Sequence, residues 1–132
     1  MDGTVSSKVN FQFHTDLSTS RYWIENSHPL LGESLFYKSG KKDNTYVTYA
    51  TIAYLPNLDG NGHVLLLQGI DSAGTQAAFD FITRNAQEKA ILNPMSAITK
   101  GYALGFEILI EVDSLDSAAH TTNFRVISSR SF

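Results

Sequence analysis

The chain has 132 residues, 42% hydrophobic and 17% charged, with a net charge of −3 and no cysteine. That length and hydrophobic share fit one domain, 1–132, with a real core. The missing thiols exclude structural disulfides, thiolate catalysis and Cys-type zinc sites. No basic cluster exceeds Lys41-Lys42 beside Lys38, which speaks against nucleic acid as the main partner, because phosphate binding needs a basic face.

In chain order, Met1 to Lys8 lacks the apolar stretch of a signal peptide, and no apolar run approaches the ~18 residues of a membrane span. The expectation is a soluble, cytoplasmic protein or a piece of a larger one. Val9 to Phe13 alternates, with Val9, Phe11 and Phe13 on one face and Asn10 and Gln12 on the other, as in an amphipathic strand. Arg21 to Glu25 is an aromatic-rich strand, broken at Asn26-Ser27-His28-Pro29. Ser34 to Lys38 is another short strand, and Ser39 to Asn44 is a polar loop. Tyr46 to Leu55, dense in Tyr, Thr, Val and Ile, is the longest strand. Pro56 closes it, and the turn chemistry of Asn57 to Gly62 leads into Val64 to Gln68, making a hairpin.

The segment from Val64 to Ile82 carries the most information. An apolar run ending at Gly69, then Gly74 and a small-residue helical start, reads as a buried strand, a tight loop and a helix packed back on its sheet. The helix starts between Asp71 and Thr75 and runs to about Leu92, where Asn93-Pro94 ends it. Its apolar stripe is Ala78, Phe79, Ile82, Ala86 and Ala90. Phe106 to Val112 alternates, with Phe106, Ile108, Ile110 and Val112 inward and Glu107 and Glu111 outward. Leu115 to Asn123 is a polar connection before a terminal strand, Phe124 to Ile127. The expected fold class is α/β, with α+β as runner-up: a mixed, mostly antiparallel sheet with one main helix on one face. Tyr22, Trp23, Phe36 and Tyr37 cover the other face, or a second subunit does.

The loop before the helix is the candidate site. Gly69 to Thr75 has Walker-type glycine spacing, but Thr75 stands where the phosphate-binding Lys belongs, so an NTPase is rejected. What remains is a helix amino terminus flanked by hydroxyls, a place suited to an anion. The expected ligand-binding residues are Gly69, Asp71, Ser72, Gly74 and Thr75. The competing reading is that Asp71, Ser72 or Thr75 caps the helix and Gly74 lets it pack closely. Ser72 misses the nucleophile-elbow spacing by one residue, and His120 with Asp113 or Asp116 makes only a partial triad. Asn57 to Gly62 matches the front of a calcium loop, yet Gln68 stands where the bidentate Glu belongs. His14, His28, His63 and His120 lack chelate spacing. Glu25 and Glu33 flank one loop, where carboxylates cap backbone donors more often than they catalyse. No catalytic residue, metal ligand or cofactor is assigned.

Arg21-x-x-Ile24-x-Asn26-x-x-Pro29-x-x-Gly32-Glu33, Tyr49-Ala50-x-Ile52-Ala53-x-Leu55-Pro56-Asn57, Gly62-x-Val64-Leu65-Leu66 with Gly69, Gly74-Thr75-x-Ala77-Ala78 and Phe106-Glu107-x-Leu109 form a series. Together they resemble a bacterial domain of no established activity, found in the carboxy-terminal part of large regulatory or signalling proteins, notably of acidobacteria. The resemblance spans most of the chain from Asn10 on. Members carry an upstream Gly-x-Pro-x-x-Asn strand-loop absent here, which implies a partial domain or a sheet that ends differently. With no family activity to carry over, the expected function is a non-catalytic ligand-sensing or interaction domain of a bacterial regulatory protein, and the helix start read above gives it a small anionic or nucleotide-type ligand at residues 69–75. The rivals are a small hydrolase or transferase acting on a nucleotide or sugar phosphate at that loop, and a pure oligomerisation module. The low surface charge and the exposed sheet edges point to a homodimer.

Overall fold

The computed structural model describes residues 9–43, 45–57, 62–84, 89–115 and 118–132. The strands are β1 (Phe11–Asp16), β2 (Arg21–Asn26), β3 (Phe36–Lys38), β4 (Gly40–Lys42), β5 (Thr45–Pro56), β6 (His63–Gly69), β7 (Phe106–Leu115) and β8 (Ala118–Ser131). The helices, α1 (Ser72–Arg84) and α2 (Lys89–Thr99), lie between β6 and β7. Every described strand pairing is antiparallel. β1, β2 and β3 form a three-stranded sheet in that order. The five-stranded sheet runs β4-β5-β7-β8, and β6 shares with β4 the open side of the long strand β5. Since β6 and β7 both run antiparallel to β5, they are parallel to each other across it. The two helices form the crossover between them, so sheet and helices agree with the mostly antiparallel architecture read from the sequence.

The core has two levels because the five-stranded sheet is covered on both faces. On one face Ala50 and Ile52 of β5 and Phe106, Ile108, Ile110 and Val112 of β7 meet Ala77, Ala78 and Phe81 of α1 and Ile91 of α2. On the other, Leu109 packs with Phe11, Ile24 and Tyr37 from the three-stranded sheet, with Tyr49 and Ile127 at its margin. The alternation of β7 decides which residue serves which level. Of Tyr22, Trp23, Phe36 and Tyr37 only Tyr37 is buried, while Tyr22 and Phe36 are 45% and 47% exposed. The face that otherwise calls for a second subunit is thus covered within the chain.

Several expectations need correction. The single long helix is two, and Pro94 lies inside α2 rather than ending α1. Its backbone lacks a donor, yet its ring is buried. On α1 the buried stripe is Gly74, Ala77, Ala78 and Phe81, whereas Phe79 is 53% exposed. The helix is turned by about one residue, 100°, because Gly74 seats it against β5: a Cβ there would lie 2.8 Å from the Tyr49 carbonyl oxygen. Ala86 lies outside the described residues. The polar stretch Ser39 to Asn44 holds β4, and Leu115 to Asn123 holds the start of β8, since both find backbone partners beside longer strands. The run Val64 to Leu67 is an edge strand, with Val64, Leu65 and Leu66 each more than 40% exposed.

Glu107 does not face water. It is 1% exposed, because the second face of β7 lies under β1. Its carboxylate accepts the backbone N–H groups of Asn10 (2.7 Å) and Phe11 (3.4 Å). Burial pushes its carboxyl above the usual range, against the pull of those two N–H groups and of Arg130.

Candidate functional site

The β6–α1 junction is built on close approach. A Cβ at Gly69 would lie 2.2 Å from the Thr75 nitrogen and 2.4 Å from the Gly74 carbonyl carbon, so the first turn of α1 rests directly on this glycine. Asp71 is the N-cap: its Oδ1 accepts the Gly74 N–H at 2.9 Å, and its carbonyl accepts the Thr75 N–H at 3.0 Å. The Thr75 hydroxyl accepts the Gly69 N–H at 3.1 Å and donates back to the Asp71 carbonyl at 3.2 Å.

The strand β5 then fixes the Asp71 side chain. Thr48 donates to Oδ1 at 3.1 Å, Tyr46 donates its phenol to Oδ2 in a short contact, and Ser39 bonds Thr48 at 2.6 Å. Burial and the Asp71 carboxylate both hold the Tyr46 phenol above its ordinary value, so it stays a neutral donor. A carboxylate therefore already occupies the positive end of α1, where a bound anion would otherwise sit. Four of the five expected ligand residues, Gly69, Asp71, Gly74 and Thr75, build the junction itself. Ser72 is exposed on the first turn.

Asp71 has a second side, however. It closes one end of an open cleft of about 640 Å³, whose lining includes Arg21, Tyr22, Trp23, Phe36, Lys38 and Tyr46. Asp16 and Ile70 also line it. The cleft has the size of a small-molecule site, with aromatic walls and a few charged groups. Of the expected ligand residues, Asp71 alone lines it. Of the four aromatics that the sequence reading assigned to sheet cover, Tyr22, Trp23 and Phe36 line this cleft, and Arg21 and Lys38, to which it gave no role there, line it beside them. Their signal was present: Arg21-Tyr22-Trp23 and Phe36-Tyr37-Lys38 each set a cation beside paired aromatics. β2 and β3 pair so that Trp23 lies opposite Lys38.

The remaining constellations resolve structurally. Glu25 bonds His14 at 2.8 Å, and His14 stacks on Trp23 with ring centres 5.6 Å apart. Glu33 has other partners. It accepts the Leu30 N–H (3.0 Å) and the Asn26 amide (2.9 Å), and it pairs with Arg130. Burial would raise its carboxyl, but the Leu30 N–H, Asn26, Ser128 and Arg130 outweigh that and hold it below the usual range. A more polar depression of about 330 Å³ lies on the other side of β3, where Tyr49 and Arg125 both donate to Glu111 at 2.9 Å. Among the described residues no three His, Asp or Glu side chains converge as metal ligands, and no helix is long and apolar enough to cross a membrane. The turn from Asn57 to Gly62, Asp116 and the His120 side chain lie outside the described residues.

No family model, curated protein or solved structure matches this chain.

Proposed function

We propose that this chain is a non-catalytic ligand-binding module of a cytoplasmic bacterial regulatory protein, and that its ligand is a planar, anionic molecule of nucleotide type held in the Trp23–Asp71 cleft. The bacterial and regulatory setting rests on the resemblance alone. The observation that carries the ligand reading is the pairing of aromatic walls with two cations, Arg21 and Lys38, in one cleft of about 640 Å³. A base stacks on an aromatic face, and a phosphate is met by Arg and Lys. Asp71 is left to accept from an exocyclic amine or a sugar hydroxyl, not to repel the phosphate. The ligand edge is thus retained but moved off the helix end, towards β2 and β3.

Support for a binding role over a reaction comes from what the cleft lacks. Ser72 and Thr75 stand outside its lining, Glu33 is engaged with Arg130, and no described histidine lines it. Trp23 is the only tryptophan, so its fluorescence reports the site directly. Titration with mononucleotides should quench it saturably, and Arg21→Ala with Lys38→Ala should weaken the binding more than tenfold, with inorganic phosphate alone binding far less tightly. Unchanged fluorescence and no calorimetric heat with millimolar mononucleotides would refute the reading.

A further inference from the structure

A sheet edge exposes unpaired N–H and C=O groups, and soluble proteins usually guard such edges with charge. The other edge strands here follow that rule: β1 carries Asp16, β3 Lys38, β4 Lys41, and β8 Arg125 and Arg130. β6, with the sequence His-Val-Leu-Leu-Leu-Gln-Gly, has no Asp, Glu, Lys, Arg or Pro. Val64, Leu65 and Leu66 are 42%, 44% and 44% exposed, and β5 is its only strand partner among the described residues.

The direction of its backbone groups follows from its neighbours. The Ile70 N–H bonds the Tyr49 carbonyl on β5 at 3.1 Å. In an antiparallel ladder alternate residues point to opposite sides. Gln68, Leu66 and Val64 therefore bond β5, while Gly69, Leu67, Leu65 and His63 point outward. The Gly69 N–H confirms this, since it reaches the Thr75 hydroxyl on α1 and not β5. Thr75, Phe79 and Ile82 follow one another at i, i+4 and i+7 on α1. Phe79, 53% exposed, accordingly lies on the flank of the helix that borders the open edge.

We propose that β6 pairs with β6 of a second copy, antiparallel about a two-fold axis at Leu65, joining two five-stranded sheets into one. That axis sets Leu65 opposite Leu65, Val64 opposite Leu66 and His63 opposite Leu67. Every outward residue from 63 to 67 then meets another outward residue, so each such pair exchanges two backbone hydrogen bonds. An axis at Leu66 completes only two such pairs against three, because its remaining pairs set His63 opposite Gly69, whose N–H is already taken by Thr75. The strand suits its own copy because it sets no like charges across the axis, and its cross-strand pairs are almost wholly apolar. An aromatic side chain presents about 150–250 Å², so Phe79 at half exposure offers roughly 100 Å² and the smaller Val64, Leu65 and Leu66 less each. With the strand backbone of both copies the total falls at the small end of specific interfaces, below ~1,200 Å². The proposal does not depend on the cleft or its ligand.

The test uses the full chain. Sedimentation equilibrium over a hundredfold concentration range should give twice the chain mass, falling to the single-chain mass for Leu65→Pro. Proline at 65 removes an outward donor and leaves the β5 ladder intact, so circular dichroism should not change. The chain has no cysteine, so Leu65→Cys should oxidise to a disulfide-linked dimer. Leu65 faces its own copy across a pair with Cα atoms about 5.5 Å apart, within disulfide reach. Leu66→Cys, offset by two residues from its copy, should remain uncrosslinked. A single-chain mass throughout overturns the proposal and leaves the edge to a strand from a different chain. A dimer that survives Leu65→Pro, or that crosslinks at 66 and not 65, overturns it equally.

Discussion

Replacing Phe81 by alanine and, separately, Phe79 by alanine measures the register of α1 against its sheet. Phe81 is 3% exposed, packs among the β5 and β7 side chains and meets Phe124 at 6.0 Å between ring centres. Truncating a buried Phe removes its transfer energy and leaves a cavity, for about 3–5 kcal/mol in all. Phe79 is 53% exposed, so its truncation should cost the fold about 1 kcal/mol or less. With a urea dependence of roughly 2 kcal/mol/M for a domain of this size, Phe81→Ala should lower the unfolding midpoint by about 2 M, and Phe79→Ala by about 0.5 M at most. Self-association adds a concentration-dependent term to apparent stability. Each variant is therefore measured at two protein concentrations, and the fold's share is what does not change between them. Equal losses at the two positions, or a loss for Phe81→Ala below 1 kcal/mol, would refute the register. A large loss for Phe79→Ala alone would restore the Ala78–Phe79–Ile82 stripe that the sequence suggests.

Gly69→Ala should destabilise the protein by at least ~2 kcal/mol, because the new Cβ would meet the backbone of Thr75 and Gly74 at 2.2 and 2.4 Å and core overpacking costs about 1–3 kcal/mol or more; thermal unfolding that matches the unaltered chain would show that the junction yields. Glu107→Gln should shift the pH dependence of stability. A carboxyl raised on folding binds its proton more tightly in the folded state, so its contribution is present below the unfolded value, near 4.5, and is lost as pH rises through the folded value. Gln does not titrate, so relative to the unaltered protein the variant should gain stability between pH 4 and neutrality; denaturant midpoints that differ by a constant amount across that range would contradict a raised Glu107.

The sequence announces local patterns well and long-range decisions poorly, and particular residues show why. The alternation of β7 was legible, since period two places Phe106, Ile108, Ile110 and Val112 on one face whatever covers it. The fate of the opposite face was not. Glu107 reads as solvent-facing until the entry to β1 lays the N–H groups of Asn10 and Phe11, 97 and 96 residues away in the chain, over it. The α1 stripe was misplaced by one residue for a related reason. Ala78 belongs to either stripe, and both Phe79 and Phe81 are apolar, so hydrophobicity alone does not choose. The contact of Gly74 with the Tyr49 carbonyl chooses, and it needs β5 in place. β6 fails in the opposite direction. An apolar run of strand length suits a buried central strand and an uncovered edge alike, and only the pairing of β6 with β5 alone among the described strands tells them apart.

The same ambiguity governs the candidate site. Asp71 is the residue for which the sequence offers two roles, ligand contact and helix cap, and both depend on the same free N–H groups at the start of α1. A carboxylate and an exogenous anion exclude each other there, because both would take the same donors and would repel. Tyr46 and Thr48, each more than twenty residues upstream, settle the contest by fixing Asp71 in the cap position. Recognition of a negatively charged ligand then has to come from elsewhere in the cleft, and Arg21 and Lys38 are the cations its lining provides. In the proposed reading the ligand edge is therefore kept, with its donors moved from the loop backbone to the side chains of β2 and β3.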